Sequence, residues 1–403
     1  MPNPVLVSKD QIQNSIAYIS KELKKLSQNI HANPELNFQE KKAVQFQKQI
    51  LENHDFSFEN PFGGLETAFK ASYSNSKSKD TLKIAFLSEY DALPELGHAC
   101  GHNLIATSSV GAAIGLSEVL KDFYNEIPFE VSVIGTPGEE GGGGKVHLLE
   151  EGGFDDINFA LMIHPGNKNM VGRGGLACTQ VDVEAFGKKA HSAAPCYGVN
   201  ALSAIINVFN ELDVLKGSIK DSNKINGIIT DGGTASNIIP DYAKAAFTVR
   251  AKTKEDLTFL LEKFKKITDG ASALTDAEIK CEHDLIYEER YPNKSMGELF
   301  KTNMEILGEE VNYPDSDEIL GSSDIGNVSR EIPTIHPYIK ITDPPIGGHT
   351  RDFEKVSGEE IAESKAIKAA MALAMTGLDI VTSESNQHNI REEFSNTVKS
   401  SSS

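Results

Sequence analysis

Apolar positions in the first third of the chain recur first at helical and then at strand spacing. Ile12, Ile16, Ile19, Leu23, Leu26 and Ile30 stand three or four residues apart, which places them on one face of a helix. Ser8 and Gln11 precede that run three residues apart, a capping-box pattern that predicts where the helix begins. A second helix is expected over residues 39–51. The stretch 82–87 is apolar and β-branched without helical period and reads as a buried strand, as do 129–135 and 159–163. Between them lie a helix over 104–120, rich in Ala, Gly and Ser for close packing, and a shorter one from about Gly143. Strands alternating with helices predict an α/β domain with a mixed, largely parallel sheet and helices on both faces.

The rhythm changes after the Gly-rich stretch 172–175. The following order is strand 178–186, helix 200–215, strand 225–231, strand 242–251, helix 254–268 and strand 277–287. This βαββαβ order is the split-βαβ motif of a ferredoxin-like α+β domain. Alternation resumes beyond 291 with a helix over 295–307, a strand over 338–341 and a last helix announced by Ser357 and Glu360. The expected division is therefore a discontinuous catalytic domain, 1–175 and 290–381, with a lid or dimerisation domain inserted at 176–289. The Ser-, Asn- and Glu-rich stretch 382–403 is expected to be a disordered tail.

Composition narrows the function class. The 403 residues are enough for two domains, and no apolar run has the length of a membrane span. The first thirty residues lack the apolar core of a secretory signal. A formal net charge of −19 argues against nucleic acid or an anionic membrane surface as partner. Four widely spaced cysteines fit a reducing compartment better than a disulfide framework, so a cytoplasmic protein is expected.

Chemistry-bearing residues concentrate where predicted strands end, the usual ligand crevice of an open α/β sheet. The segment from Glu89 to Asn103 holds Glu89, Asp91, Glu95, His98, Cys100 and His102. Read blandly, it is a polar loop with an inert buried thiol. A thiolate and an imidazole separated by Gly101 can, however, face one centre, and both are good zinc ligands. At the next strand end, Glu139 and Glu140 sit within a Gly-rich turn. One carboxylate there can bind a cation while the other moves a proton as general base, although two acids ahead of a helix N-terminus are also favourable without any site. His164 ends the third strand and His349 lies in a Gly-rich loop before the final helix. Cys100, His102, Glu140, His164 and His349 make five ligands, enough for two divalent cations bridged by a thiolate. The positive charge remaining on such a centre would stabilise a tetrahedral oxyanion.

These motifs, in this order, resemble the dinuclear metallopeptidase and amidohydrolase family that includes aminoacylase-1, the glutamate carboxypeptidases and the plant hydrolases of auxin–amino-acid conjugates. The resemblance covers nearly the whole chain. It rests on His31-Ala32-Asn33-Pro34-Glu35, Asp91-Ala92-Leu93-Pro94, His98-Ala99-Cys100-Gly101-His102, Glu139-Glu140 and His349-Thr350. The stretches from Glu89 to Glu95, Cys100 to Leu104 and Gly321 to Ser329 are similar to the Xaa-Arg, or β-alanyl-lysine, dipeptidase branch, and Asn103 departs from the Asp of the auxin-conjugate enzymes. The resemblance implies the same five ligands and Glu139 as acid/base. It further implies His191 as the group that stabilises the oxyanion, often in the neighbouring subunit's site, and Asn237, Arg250 and Ser323 as substrate-binding residues. The role of Asp91 stays open, because Glu89 stands where the carboxypeptidases have a His.

The expected function is thus hydrolysis of the amide bond of a dipeptide with a free C-terminal carboxylate and a basic C-terminal residue. The expected cofactor is two divalent ions per chain, zinc first, with manganese or cobalt as alternatives, in a homodimer. A hydrolase of N-acyl amino acids or aminobenzoyl-glutamate is the rival within the family. A non-catalytic dimeric binding module is the rival outside it, and loss of Glu139 or of a ligand would have been its sign.

Overall fold

Six strands form the central sheet of the computed structural model, which describes residues 4–401. Their order is Ser57–Glu59, Phe69–Ser74, Phe129–Gly135, Leu82–Ser88, Phe159–Leu161 and Thr334–Ile335. The first two pairings are antiparallel and the last three parallel, so the sheet is mixed and largely parallel. Its centre is a run of fully buried side chains, among them Ile84, Phe86, Val131 and Val133. Two further strands, His164–Gly166 and Tyr338–Lys340, pair parallel beyond the sheet and carry the chain onward from Ile163. The antiparallel edge has no counterpart among the strands expected from sequence, because its strands are short and half-polar.

The helix His102–Phe123 is long and apolar enough by composition to cross a bilayer, unlike any run expected from sequence, yet 94% of its apolar window is buried inside the protein. It packs on the strands Leu82–Ser88 and Phe129–Gly135 and against the helix Glu360–Val381. Burial of this kind on both sides is what its small residues permit.

Three local expectations are corrected. The first helical run starts at Pro4, not at Ser8, and breaks at Ile19 into Pro4–Tyr18 and Ser20–His31; the Ser8 hydroxyl bonds Tyr124 Oη at 3.0 Å instead of capping. Ser357 does not open the last long helix but closes the short helix Arg351–Ser357, donating to the Phe353 carbonyl at 2.8 Å. The expected tail contains a helix, Glu384–Ser401. Its composition is polar, but its Glu393 carboxylate accepts the amides of Lys294 (2.7 Å) and Ser295 (2.8 Å), capping the helix Lys294–Ile306, and its Ile390 is buried. Tertiary contacts supply the order that local composition does not.

The chain divides into two compact units. The larger runs to Gly174 and resumes over Tyr291–Ile319 and from Asn327 onward; the smaller is Gly175–Arg290 with Leu320–Gly326. The expected boundaries left 320–326 in the larger unit, whereas here that segment groups with the smaller. Within the smaller unit four antiparallel strands run in the order Glu278–His283, Ala177–Phe186, Tyr242–Ala251, Lys224–Asp231, with the helices Ala201–Lys216 and Lys254–Thr275 on their buried face. Alternation makes that face: Ala243, Ala245, Phe247, Val249 and Ala251 point into the core from one strand. Asn200 and Thr253 cap the two helices through Ser203 N (3.1 Å) and Asp256 N (3.2 Å). A short ribbon, Ala190–His191 paired with Ile238–Ile239, completes the unit.

Candidate active site

Strand ends deliver the chemistry of the larger unit. After Leu82–Ser88 the chain passes through Asp91 to Cys100 and enters the long helix at His102, its first residue. Gly101 between them has φ +76°, and a Cβ there would lie 2.7 Å from Pro165 Cγ, so only glycine lets the thiol and the imidazole turn towards one place. Phe129–Gly135 leads into the loop with Glu139 and Glu140, and His164 opens the strand that follows Ile163. His349 joins from its loop, its amide bonded to the Ala99 carbonyl at 2.9 Å. It holds φ +59°, a left-handed conformation that costs a non-glycine residue on the order of 1–2 kcal/mol and is retained where the surroundings over-determine it.

The donor atoms of these residues converge in three overlapping groups. Cys100, His102 and His164 form one, Cys100, Glu140 and His349 a second, and His102, Glu139 and Glu140 a third; within each group every ligand atom lies within 4.8 Å of the others. Cys100, His102 and Glu140 each belong to two of them, so the groups form one connected cluster. Its Sγ is 3.5 Å from His164 Nε2, and His349 Nε2 is 3.3 Å from Glu140 Oε1.

Ring orientation fits a cation. His102 Nδ1 donates to the Asp91 carboxylate at 2.9 Å, and His164 Nδ1 donates to the Pro165 carbonyl at 2.7 Å, which leaves Nε2 of each as the ligating nitrogen. His102 Nε2 and Glu140 Oε1 are buried without a hydrogen bond, a costly state for polar atoms that a cation would relieve. Burial pushes the Cys100 thiol up, so the protein alone holds it neutral. Burial lowers the His102 imidazole, but the Asp91 carboxylate beside it outweighs that and holds it well above its usual value. A divalent ion would take the place of both protons. The donor set of one thiol, three imidazoles and two carboxylates therefore fits one or two borderline cations.

Asp91, whose role the sequence left open, has a definite place. Besides orienting His102, its Oδ2 accepts the Glu140 amide at 3.0 Å, linking two strand ends. Burial raises Asp91, and the neighbouring His102 outweighs this and holds it below the usual carboxylate range. Lys145 and Glu89 form a fully buried ion pair beside His102, with Glu89 Oε2 3.6 Å from His102 Nε2. His98, the other imidazole of the Cys100 loop, joins none of the three groups; burial and the charge of His102 push it down to about 3. Asn37 and Glu40 contact the Glu139 loop and carried no motif signal, since neither lies near the other candidates in sequence.

The remaining candidates belong to the smaller unit. His191 and Asn237 are neighbours on the exposed ribbon: His191 pairs with Ile238, and the Ser192 amide bonds the Asn237 carbonyl at 3.0 Å. Arg250 lies on the strand Tyr242–Ala251, and its Nη1 donates to Ser322 Oγ at 2.7 Å. Ser323 is not the residue at the guanidinium; its hydroxyl faces the Ile325 amide at 3.5 Å.

Residues 171–273 match the peptidase dimerisation domain of the M20 family. The chain is 37% identical over 383 residues to the Xaa-Arg dipeptidase of Mus musculus, covering 92% of this chain and 88% of that protein. It is 30% identical over 291 residues to one of the subunits of the p-aminobenzoyl-glutamate hydrolase of Escherichia coli (strain K12), covering 67% of this chain and 59% of the relative. Its fold matches the crystal structure of a dinuclear metal binding peptidase from the M20 family of Bacillus subtilis with a TM-score of 0.67, at 20% identity over 90% of this chain and 99% of that one.

Proposed function

The chain belongs to the M20 peptidase family, and from that premise we propose that it is a metal-dependent dipeptidase acting on dipeptides with a free C-terminal carboxylate and a basic C-terminal residue. The observation that carries this reading is the convergence of three donor groups, two of which share Cys100, with Glu139 beside the ligand candidate Glu140. Cys100, His102, Glu140, His164 and His349 are assigned as ligands of two divalent cations, with zinc the best fit to a thiol and imidazole set and manganese or cobalt the alternatives. When bound, the cations supply Lewis acidity at the scissile carbonyl and at the attacking water.

The chain's own residues do the rest. Glu139 takes the proton from water and carries it to the leaving amine. Asp91 keeps the His102 ring in register. His191 is assigned to donate to the carbonyl oxygen as it gains charge, in the site of a partner copy. Asn237, Arg250 and Ser323 are assigned to the substrate, Arg250 to its carboxylate because a planar fork binds that group bidentately. A homodimer is proposed through the edge strand Lys224–Asp231, which carries exposed Ile228 and Ile229 and has no outer neighbour among the described residues. The cysteines are all unpaired, in keeping with a cytoplasmic location.

The test is a side-by-side assay of the metal-analysed protein on dipeptides ending in Lys or Arg, on N-acetylated amino acids and on p-aminobenzoyl-glutamate. The basic dipeptides are expected to lead by about 10-fold or more in kcat/KM. A lead for p-aminobenzoyl-glutamate would move the chain to the second activity found among its relatives.

A further inference from the structure

The loop that carries Glu139 is held from outside by residues that no chemical motif singled out. Gly138, just before Glu139, donates its amide to Glu40 Oε1 at 2.9 Å, and the same oxygen accepts the Phe38 amide at 2.9 Å. Just after Glu139, the Glu140 carbonyl accepts Asn37 Nδ2 at 2.6 Å, and the Glu140 amide donates to Asp91. The Phe38 ring lies against the glycines of the loop: a Cβ on Gly138 would be 2.9 Å from it and one on Gly142 2.6 Å. Gly138 itself has φ +67°, so the ring and the turn both depend on the missing side chain.

We propose that Glu40, together with Asn37, is a positioning residue that clamps the backbone on either side of Glu139 and so aims its carboxylate. This rests on the reading of Glu139 as the acid/base.

Two observations separate this role from an ordinary structural one. Glu40 stands at the start of the helix Lys41–Asn53, where a side chain commonly caps, yet its side chain makes no cap bond. Glu35 does that work, accepting the amides of Lys42 (2.8 Å) and Ala43 (3.0 Å). Glu40 is also fully buried, and its second oxygen has no hydrogen bond, so it is held in a costly place. Burial, and then the Asp91 charge, push it up to about 7, in keeping with that cost. The segment that presents it is fixed in turn, since the Glu35 carbonyl accepts the Ala92 amide at 2.8 Å. Residues 35–40 thereby tie the loop after Leu82–Ser88 to the loop after Phe129–Gly135, with the Glu139 peptide between two fixed points.

The test compares Glu40→Leu, which fills the volume without an acceptor, with Glu40→Gln, whose amide oxygen can still accept the Gly138 amide. Glu40→Leu is expected to lower kcat by about 10- to 100-fold, the scale of a misplaced catalytic group, with KM and metal content near wild type. Glu40→Gln is expected to restore kcat to within about threefold. Hydrogen exchange over residues 136–143 should quicken in the Leu variant and not in the Gln variant. If Glu40→Leu fails to fold, Asn37→Ala carries the test through the same exchange window and a several-fold loss in kcat. Wild-type kcat and exchange in Glu40→Leu would overturn the proposal, as would a loss that tracks metal content or melting temperature and is not restored by Gln. Faster exchange beside a fully active Glu139→Gln would instead leave the clamp standing and remove Glu139 from the chemistry.

Discussion

Four of the five ligand candidates of the larger unit are buried or half-buried and linked through overlapping donor groups, His349 being the more exposed one, whereas His191 and Asn237 of the smaller unit stand exposed at a two-stranded ribbon. The first set is prearranged. Asp91 fixes His102, Pro165 fixes His164, and His102 Nε2 and Glu140 Oε1 are buried without a hydrogen bond. The second set makes only local bonds, with His191 Nδ1 accepting the Ala193 amide at 3.1 Å and, on the neighbouring strand, Arg250 Nη1 donating to Ser322. Buried ligand atoms without hydrogen bonds, gathered in one place, are what a cation would complete, while exposed groups acquire a role only from what approaches them. Metal chemistry is therefore legible from the larger unit alone, and substrate recognition by the smaller unit has to be tested by kinetics.

The largest expected effect breaks the comparison at its chemical end. Glu139→Gln should retain its metal and lose about 10²- to 10⁴-fold in kcat, the range for a positioned acid/base. Elemental analysis and turnover on one preparation decide it: near-normal kcat with full metal would remove Glu139 from the chemistry and leave the cluster's role to the cations alone.

A smaller effect concerns the cost of that prearrangement. Glu40 is raised in the folded protein from 4.5 to about 7, so between those pH values the folded state binds more protons than the unfolded state. Stability must then fall as pH rises through that window, and the full cost is present above it. The shift corresponds to a cost on the order of 3 kcal/mol. Glu40→Gln removes the titration, so in chelated protein its denaturation free energy should lose this part of the pH dependence. The wild-type minus variant difference should be more negative at pH 8 than at pH 5. A difference that is flat across the window would mean that Glu40 is relieved by contacts other than those described.

How much of this was legible in the sequence follows the same division. The Cys100-Gly101-His102 spacing and the adjacent Glu139 and Glu140 were readable because each places its donors locally, on one turn at one strand end. The alternating pattern behind the βαββαβ order was readable because one face of each strand meets the core. Asn37, Glu40 and Ser322 were not readable. Their partners lie 103, 98 and 72 residues away, and nothing in their own neighbourhood distinguishes a clamp from a surface amide, a helix-start acid or a loop serine. The tail failed for a related reason: Glu393 and Ile390 look unremarkable in a polar stretch until the helix Lys294–Ile306 is beside them.

The smallest effect sharpens the comparison at its recognition end. Ser322 Oγ fixes one arm of the Arg250 guanidinium, and fixing a fork in advance matters only if both arms must meet a carboxylate. Losing a hydrogen bond to a charged group costs about 1.5 kcal/mol, which corresponds to about tenfold in binding. Ser322→Ala should therefore raise KM by about 5- to 10-fold for substrates with a free C-terminal carboxylate, with kcat within about twofold. The same variant should be indifferent when that carboxylate is amidated, because the clamp then has nothing to hold. Ser323→Ala provides the contrast, since the Ser323 hydroxyl faces the Ile325 amide rather than the guanidinium. If Ser323→Ala raises KM and Ser322→Ala does not, the serine assigned from motif resemblance is the one that binds, and the bond to Ser322 is incidental to recognition. If neither moves KM for the free carboxylate, Arg250 is a strand arginine held for structure and the carboxylate is held elsewhere.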